Sequence, residues 1–368
     1  MASHITIRRR VIRVLIALLL SALVYLLFWP VPVQPVAWRA PSDEGYSGSF
    51  ARNNRLSSLT ITDLGGRFGP EDIAVGPDDL IYTATHDGDI IRIETDGLVS
   101  VFANTGGRPL GIEFAPDGNL YVADAYRGLL MIDRTGDVTL LTDQVDDGSS
   151  IRYADDVDIA SDGRVFFSDA STRFGAQANG GTLAASVLDL LEHSSNGRVL
   201  VYDPATMRTQ LFADGLTFAN GVALSADESA LMVVETGTYS VWRLPLDGSP
   251  GEVVIENLPG FPDNINPAPD GTFWVGLVSP RNPLMDRLAS RPFFRRMVAR
   301  LPESFRPAPT RYGLVFRIDD QGSVIETLQD PTGAYALTTG AVTHPDGRIV
   351  ISSLTEPGLG ILLPSVSE

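Results

Sequence analysis

One pattern recurs six times and constrains the fold more than anything else in the chain. It is a short turn carrying an aspartate, followed by a β-prone run. The copies are GPDDLIYTAT (76–85), APDGNLYVAD (115–124), ASDGRVFFSD (160–169), SADESALMVVE (225–235), APDGTFWVGL (268–277) and HPDGRIVISS (344–353). Their turn aspartates are Asp78, Asp117, Asp162, Asp227, Asp270 and Asp346, spaced by 39, 45, 65, 43 and 76 residues. A basic period near 40 to 45 with turn-strand units predicts an all-β, six-bladed propeller. The two long intervals predict insertions, at 171–197 and 279–312. Segment 57–64 (SSLTITDL) is expected to close the ring as an outer strand of the last blade.

A closed ring brings the first strand of every blade to a central channel, so equivalent positions face one another across the axis. Seven residues before the turn aspartates stand Glu71, Leu110, Asp155, Asn220, Asp263 and Thr339. Four of these six carry a side-chain carboxylate or carbonyl oxygen. Three acids at one channel mouth repel unless a cation joins them, and an oxygen-only donor set favours Ca²⁺ over Zn²⁺. Asn264 is placed as a further ligand. The competing reading makes the same acids loop caps that accept backbone hydrogen bonds. Six residues before the turns stand Asp72, Gly111, Asp156, Gly221, Asn264 and Gly340. The glycines suit a tight channel wall. Asp72 and Asp156, with the Ile112 carbonyl, are candidates for a second, deeper ion, or else are buried hydrogen-bonded carboxylates.

Composition removes other chemistries. With no cysteine there are no disulfides or thiolate sites. All 28 basic residues are arginine, so no Schiff-base amine exists. Residues 1–40 hold five arginines and no acid, which leaves 23 arginines against 45 acids, a net −22, in the rest. Such a body argues against nucleic acid as a partner.

Arg8, Arg9, Arg10 and Arg13 precede an apolar run from Val14 to Trp29, roughly 24 Å long as a helix. Residues 1–30 read as a single-pass membrane anchor, with the arginines cytoplasmic and the remainder extracytoplasmic. A cleaved signal peptide is the alternative, although no clear A-x-A site follows. Residues 31–42 read as an extended, semi-rigid linker and 43–368 as the propeller.

The stretches GPEDIAVGPDDLIYTATHDGDIIRI, RPLGIEFAPDGNLYVADAYRGLL, YADDVDIASDGRVFFSDAS and LPGFPDNINPAPDGTFWVGL resemble the superfamily that joins senescence-marker protein/gluconolactonases, strictosidine synthase-like proteins and paraoxonases. The resemblance implies a catalytic Ca²⁺ held by Glu71, Asp155, Asn220, Asp263 and Asn264, with aspartate at 155 where asparagine is usual. It also implies a structural ion at Asp72, Asp156 and Ile112. Paraoxonases place a histidine pair near the metal; those positions here are Leu110 and Asp124. The glutamate of the synthases finds no counterpart in Leu337-Thr338-Thr339-Gly340.

The expected function is calcium-assisted hydrolysis of a small, apolar ester or lactone. Asp263, then Asp155, is the expected base or nucleophile, and Leu110, Asp124, His86 and Tyr126 form the substrate rim. His86 also reads as an ordinary exposed turn residue. A non-catalytic, calcium-stabilised binding propeller and a synthase-like lyase are the alternatives. Segment 171–197 is expected to hold a helix near 183–192. LMDRLASRPFFRRMVARL in 279–312 reads as a basic amphipathic helix interrupted at Pro292, either lying on lipid or pairing with the acidic body.

Overall fold

The structure is a computed structural model and describes residues 2–364. Six four-stranded antiparallel sheets follow one another along the chain. The innermost strands are Ile73–Val75, Pro109–Phe114, Ala154–Ile159, Ala219–Leu224, Gly260–Pro267 and Thr338–Thr343. Each contacts the next, and the last contacts the first, so the six-bladed ring is closed. The sixth sheet takes three strands from the C-terminal end of the chain and its outermost strand, Thr60–Asp63, from the N-terminal side. Thr60 pairs with Ile361 and Asp63 with Gly358, the clasp expected of segment 57–64.

Apolar side chains on facing sheets form the core between blades. Phe273, Val275, Leu314 and Phe316 of the fifth blade pack on Met232, Val234 and Val241 of the fourth. The repeated aspartate of each copy caps its turn. Asp117 accepts from the Asn119 N–H, Asp162 from Arg164 and Asp346 from Arg348.

The ladder between the first and second strands is interrupted at one place in five blades. In the second blade Pro109 pairs with Asp124 and Ile112 with Val122, skipping residues 110–111. The same skip falls at 155–156, 220–221, 263–264 and 339–340. Such a bulge frees two side chains from strict alternation and re-aims them. The positions that counting back from the turns singles out are therefore the bulged ones.

Both insertions leave from the ends of second strands, on the channel face where inner strands begin. The first holds α2, residues Thr182–Glu192, preceded among the α-helices by the N-terminal helix α1, Ala2–Phe28. The second holds α3, Pro283–Leu288, and α4, Pro292–Ala299, broken at Pro292 as expected. α2 and α4 touch and roof the channel.

The linker departs from expectation. It is a strap threaded between the two insertions, not a free spacer. Val36 N–H donates to the Glu192 carbonyl at 2.8 Å, and Trp38 N–H to Ala289 at 3.2 Å. Val33 is buried among Phe174, Leu191 and Val298. The Arg281 side chain, fully buried, binds the Pro41 carbonyl, Asn257 and Asp286 and lies 4.2 Å from the Tyr239 ring centroid. Arg300 donates to the carbonyls of Leu26 and Trp29, capping the last turn of α1. Three of the insertion's eight arginines, 281, 295 and 300, thus turn inward. They meet backbone carbonyls of the strap and α1, a use the amphipathic pattern does not encode. Phe293 and Phe294 are exposed on α4.

Candidate active site and metal centre

The bulges bring Asp155, Asn220 and Asp263, and the segment entering the first blade brings Glu71, to one chamber at the mouth of the channel, which they line with Arg108, Tyr153 and Leu110. All are buried. The Asn220 amide donates to Asp263 Oδ1 and, at 3.2 Å, to Thr236 Oγ1. The Asn264 amide donates to the Glu71 carbonyl at 3.1 Å and to Glu71 Oε1 at 3.3 Å. A carbonyl only accepts, so the Asn264 atom facing it is nitrogen, and its oxygen points the other way. The result is four buried oxygens with no partner: Glu71 Oε2, Asn220 Oδ1, Asp263 Oδ2 and Asn264 Oδ1. Leaving a buried acceptor unpaired costs about 1–3 kcal/mol.

The charges show the same stress. Burial pushes the Glu71 carboxyl well up, and the charges of Asp263 and Asp155 push it further, against Arg108. Burial, then Asp263, raises Asp155 well above the carboxylate range. Asp263 is raised to about 7 by burial despite its bond from Asn220. Three acids buried together are either protonated in part or neutralised by positive charge, of which Arg108 supplies one. Among the described residues no three of His, Asp and Glu are placed to hold an ion by themselves. The amide oxygens are therefore needed to complete an all-oxygen, hard-cation donor set, and the donors present fit Ca²⁺.

The deeper pair behaves differently. Asp72 accepts from Ile112 N–H at 2.9 Å and Asn266 at 3.0 Å; Asp156 accepts from Val157 and Val222 N–H, each at 2.8 Å. All four oxygens are engaged, each carboxylate stitching its blade to a neighbour. The hydrogen bonds are those of the buried, hydrogen-bonded alternative, and each oxygen keeps a further lone pair. A Cβ at Gly111 would lie 2.3 Å from Asp156 Oδ1, which accounts for glycine there.

Of the rim residues, Leu110 and His86 line the acidic chamber. His86 is also an exposed turn residue, stacked on Phe68 at 4.7 Å. Burial and the Arg108 charge lower its pKa. Asp124 is not on the rim. It is fully buried behind the chamber and accepts the N–H groups of Arg108, Tyr126 and Arg127, because the second strand's end caps the start of the first. Asp169 and Glu235 repeat the device in their blades. Tyr126 lies outside both cavities and packs with the lid residues.

Arg108, Tyr153 and Phe218 were missed by the seven-residue count, yet stand nine before their turn aspartates. They sit one pleat above the oxygens, and extending the count by two finds them. Phe218 and Leu337 at this level hold left-handed φ of 60° and 51°. A second cavity, of about 160 Å³, shares Asn220 and Asp263 with the chamber and extends under the lid, walled by Trp38, Val187, Leu190, Phe261 and Met285.

Fold and site together define a six-bladed propeller with an acidic, oxygen-lined axial chamber. The chain matches the strictosidine synthase-like N-terminal family over residues 48–93 and the strictosidine synthase family over 155–248. It is 31% identical to the human adipocyte plasma membrane-associated protein over 357 residues, covering 90% of this chain and 83% of that protein. The Salmo salar counterpart is 32% identical over 93% of this chain and 86% of its own. Strictosidine synthase-like protein 13 of Arabidopsis thaliana is 39% identical over 65% of this chain and 60% of that protein. The chain belongs to the family of the adipocyte plasma membrane-associated proteins, and two of its segments match strictosidine synthase-type family models. Among solved structures, a gluconolactonase from Xanthomonas campestris superposes with a TM-score of 0.61 at 18% identity, covering 89% of this chain and 99% of that one. The calcium-binding regucalcin from Agrobacterium tumefaciens gives 0.57 at 15%, covering 83% and 92%. At these identities the likeness is one of fold.

Proposed function

We propose that the protein is a membrane-anchored, calcium-dependent hydrolase of small apolar esters or lactones. The observation that carries the proposal is the convergence of four unpartnered buried oxygens beside an apolar cavity. Glu71, Asp155, Asn220, Asp263 and Asn264 would hold the ion; when bound it supplies a Lewis acid for the substrate carbonyl. Asp263, with Oδ2 free of protein donors, is the proposed acceptor of the proton from the attacking water, and Asp155 the second choice. Arg108 keeps its Nε unpartnered in the chamber wall and offers an N–H to negative charge developing on the substrate oxygen. The lid and strap limit water beside the reacting carbon, and the apolar cavity seats the remainder of the substrate.

The sixth blade contributes Leu337, Leu354 and Thr355 to the chamber but no acid, which weighs against a synthase-type condensation. Thr339 instead ties its hydroxyl to the Glu71 carbonyl at 2.6 Å.

α1 is exposed from Ile7 to Phe28, with a mean hydropathy of 2.7, and is long enough to cross a bilayer. The arginines before it favour a cytoplasmic N-terminus and an extracytoplasmic propeller. Because Arg300 fastens the end of α1 to α4, the exposed Phe293 and Phe294 are proposed to meet the interface beside the anchor. Added protease that reaches the propeller only from the extracytoplasmic side supports this orientation; digestion from the cytoplasmic side refutes it. The activity is tested with phenyl acetate and a γ-lactone, with added Ca²⁺ and with chelator. Chelator-sensitive turnover is expected. A calcium-loaded protein inert on the whole panel would leave the binding-propeller reading.

A further inference from the structure

Arg295 of α4 is among the largest fully buried side chains, 1% exposed, and it lines the apolar cavity under the lid. Only Nη2 is engaged, donating to the Val36 carbonyl of the strap. Nε and Nη1 have no partner. Burial alone lowers its pKa, to about 10, and no carboxylate offsets it among the described residues. A buried guanidinium with no counter-charge beside it favours an anionic partner. Its neighbours do not supply one. His193 is held neutral by burial and by Arg295 itself, and stacks under Trp38 at 3.9 Å between ring centroids. The cavity's apolar walls include Val187, Leu190, Phe261 and Met285, and Arg306 also reaches the lining. The acid of the cavity, Asp263, stands with the axial oxygens, its Oδ1 bonded to Asn220, and is not hydrogen-bonded to Arg295.

We infer that this cavity is a binding site for a small apolar carboxylate, with an unpartnered N–H of Arg295 donating to the carboxylate and the strap-and-lid wall enclosing the apolar group. Each unpartnered guanidinium N–H can make a charge-assisted hydrogen bond to a carboxylate oxygen. A cavity of about 160 Å³ holds an apolar group of one-ring size, since roughly 150 Å³ accommodates benzene. Because Trp38 and Val36 belong to the strap, the membrane tether builds part of this site. The inference adds a ligand class to the site proposed above, either a substrate carrying a carboxylate or the acid a hydrolysis releases. Its test reads binding in the absence of metal, so it stands or falls separately from turnover.

The test is calorimetric titration of the full-length protein in detergent with chelator present, using benzoate and its uncharged counterpart benzyl alcohol. Benzoate is expected to bind at least about tenfold more tightly, as charge-assisted bonds imply. Arg295→Met should erase that preference, and Val187→Phe, which fills the cavity while sparing Arg295, should abolish benzoate binding. Equal affinity of the two probes in the wild type overturns the inference. So does a benzoate preference that persists in Arg295→Met. Should Arg295→Met not fold, undiminished benzoate binding by Val187→Phe overturns it equally.

Discussion

Asp263 gives one oxygen to Asn220 and leaves the other free toward the axis. Asp263→Asn keeps the shape and removes a charge and the proposed proton acceptor. Aryl-ester kcat/KM is expected to fall by roughly 10² or more, with weaker Ca²⁺ binding by calorimetry. His193 offers a separate test at this scale. Its pKa is depressed to about 4 by burial and by Arg295. Between that value and 6.5 the unfolded chain binds a proton that the folded protein refuses. Stability is therefore full above pH 6.5 and declines as pH falls toward 4, by roughly 3 kcal/mol at 1.36 kcal/mol per unit. Urea midpoints of wild type and His193→Gln at pH 4.5 and 7 should differ by this slope. The axial oxygens were legible in the sequence because ring symmetry converts equal spacing into proximity. Arg295 was not, because its surroundings come from Val36 and Trp38, some 260 residues earlier, and no periodicity links them.

Elements explain why those oxygens meet. A two-residue bulge in five of the six inner strands turns one side chain to the mouth and one into the wall, and the wall positions have little room. A Cβ on Gly221 would stand 2.5 Å from the Ile265 nitrogen in the next blade. Gly221→Ala is expected to cost roughly 3 kcal/mol, read from the shift of the denaturant midpoint, since backbone cannot yield as a side-chain tip does. The six turn-strand units and the break at Pro292 were readable from local residue chemistry. The strap was not, because extended proline-rich chain looks alike whether free or clamped. Its clamp is the buried Arg281. Arg281→Met strands Asp286, which Tyr239 also binds at 3.0 Å, and should cost roughly 3 kcal/mol with loosening of residues 36–42. Hydrogen exchange on the Trp38 amide reports that loosening. Unchanged protection there would show that the strap is held by other contacts.

At the scale of the molecule, the axial chamber joins residues of four blades, so an ion there ties the ring across its centre. Binding confined to the folded state stabilises it by about 2.7 kcal/mol at a hundred times Kd. Thermal unfolding of the full-length protein is therefore expected to shift upward with Ca²⁺ and back with chelator, and much less in Asp263→Asn. A melting temperature indifferent to both would remove the ion from the account.

The sixth sheet has a temporal consequence. Thr60–Asp63 is synthesised early but finds its partner only when Gly358–Leu362 has emerged, nearly 300 residues later. During that interval α1 precedes a growing arc of blades with two open edges, and Glu71 has no Asn264 to meet. Ring closure, and with it the proposed calcium pocket, belongs to the final step of biogenesis. Chains that terminate before residue 358 should present two unpaired edges and a donor set not yet held together by a closed ring to whatever guards protein quality.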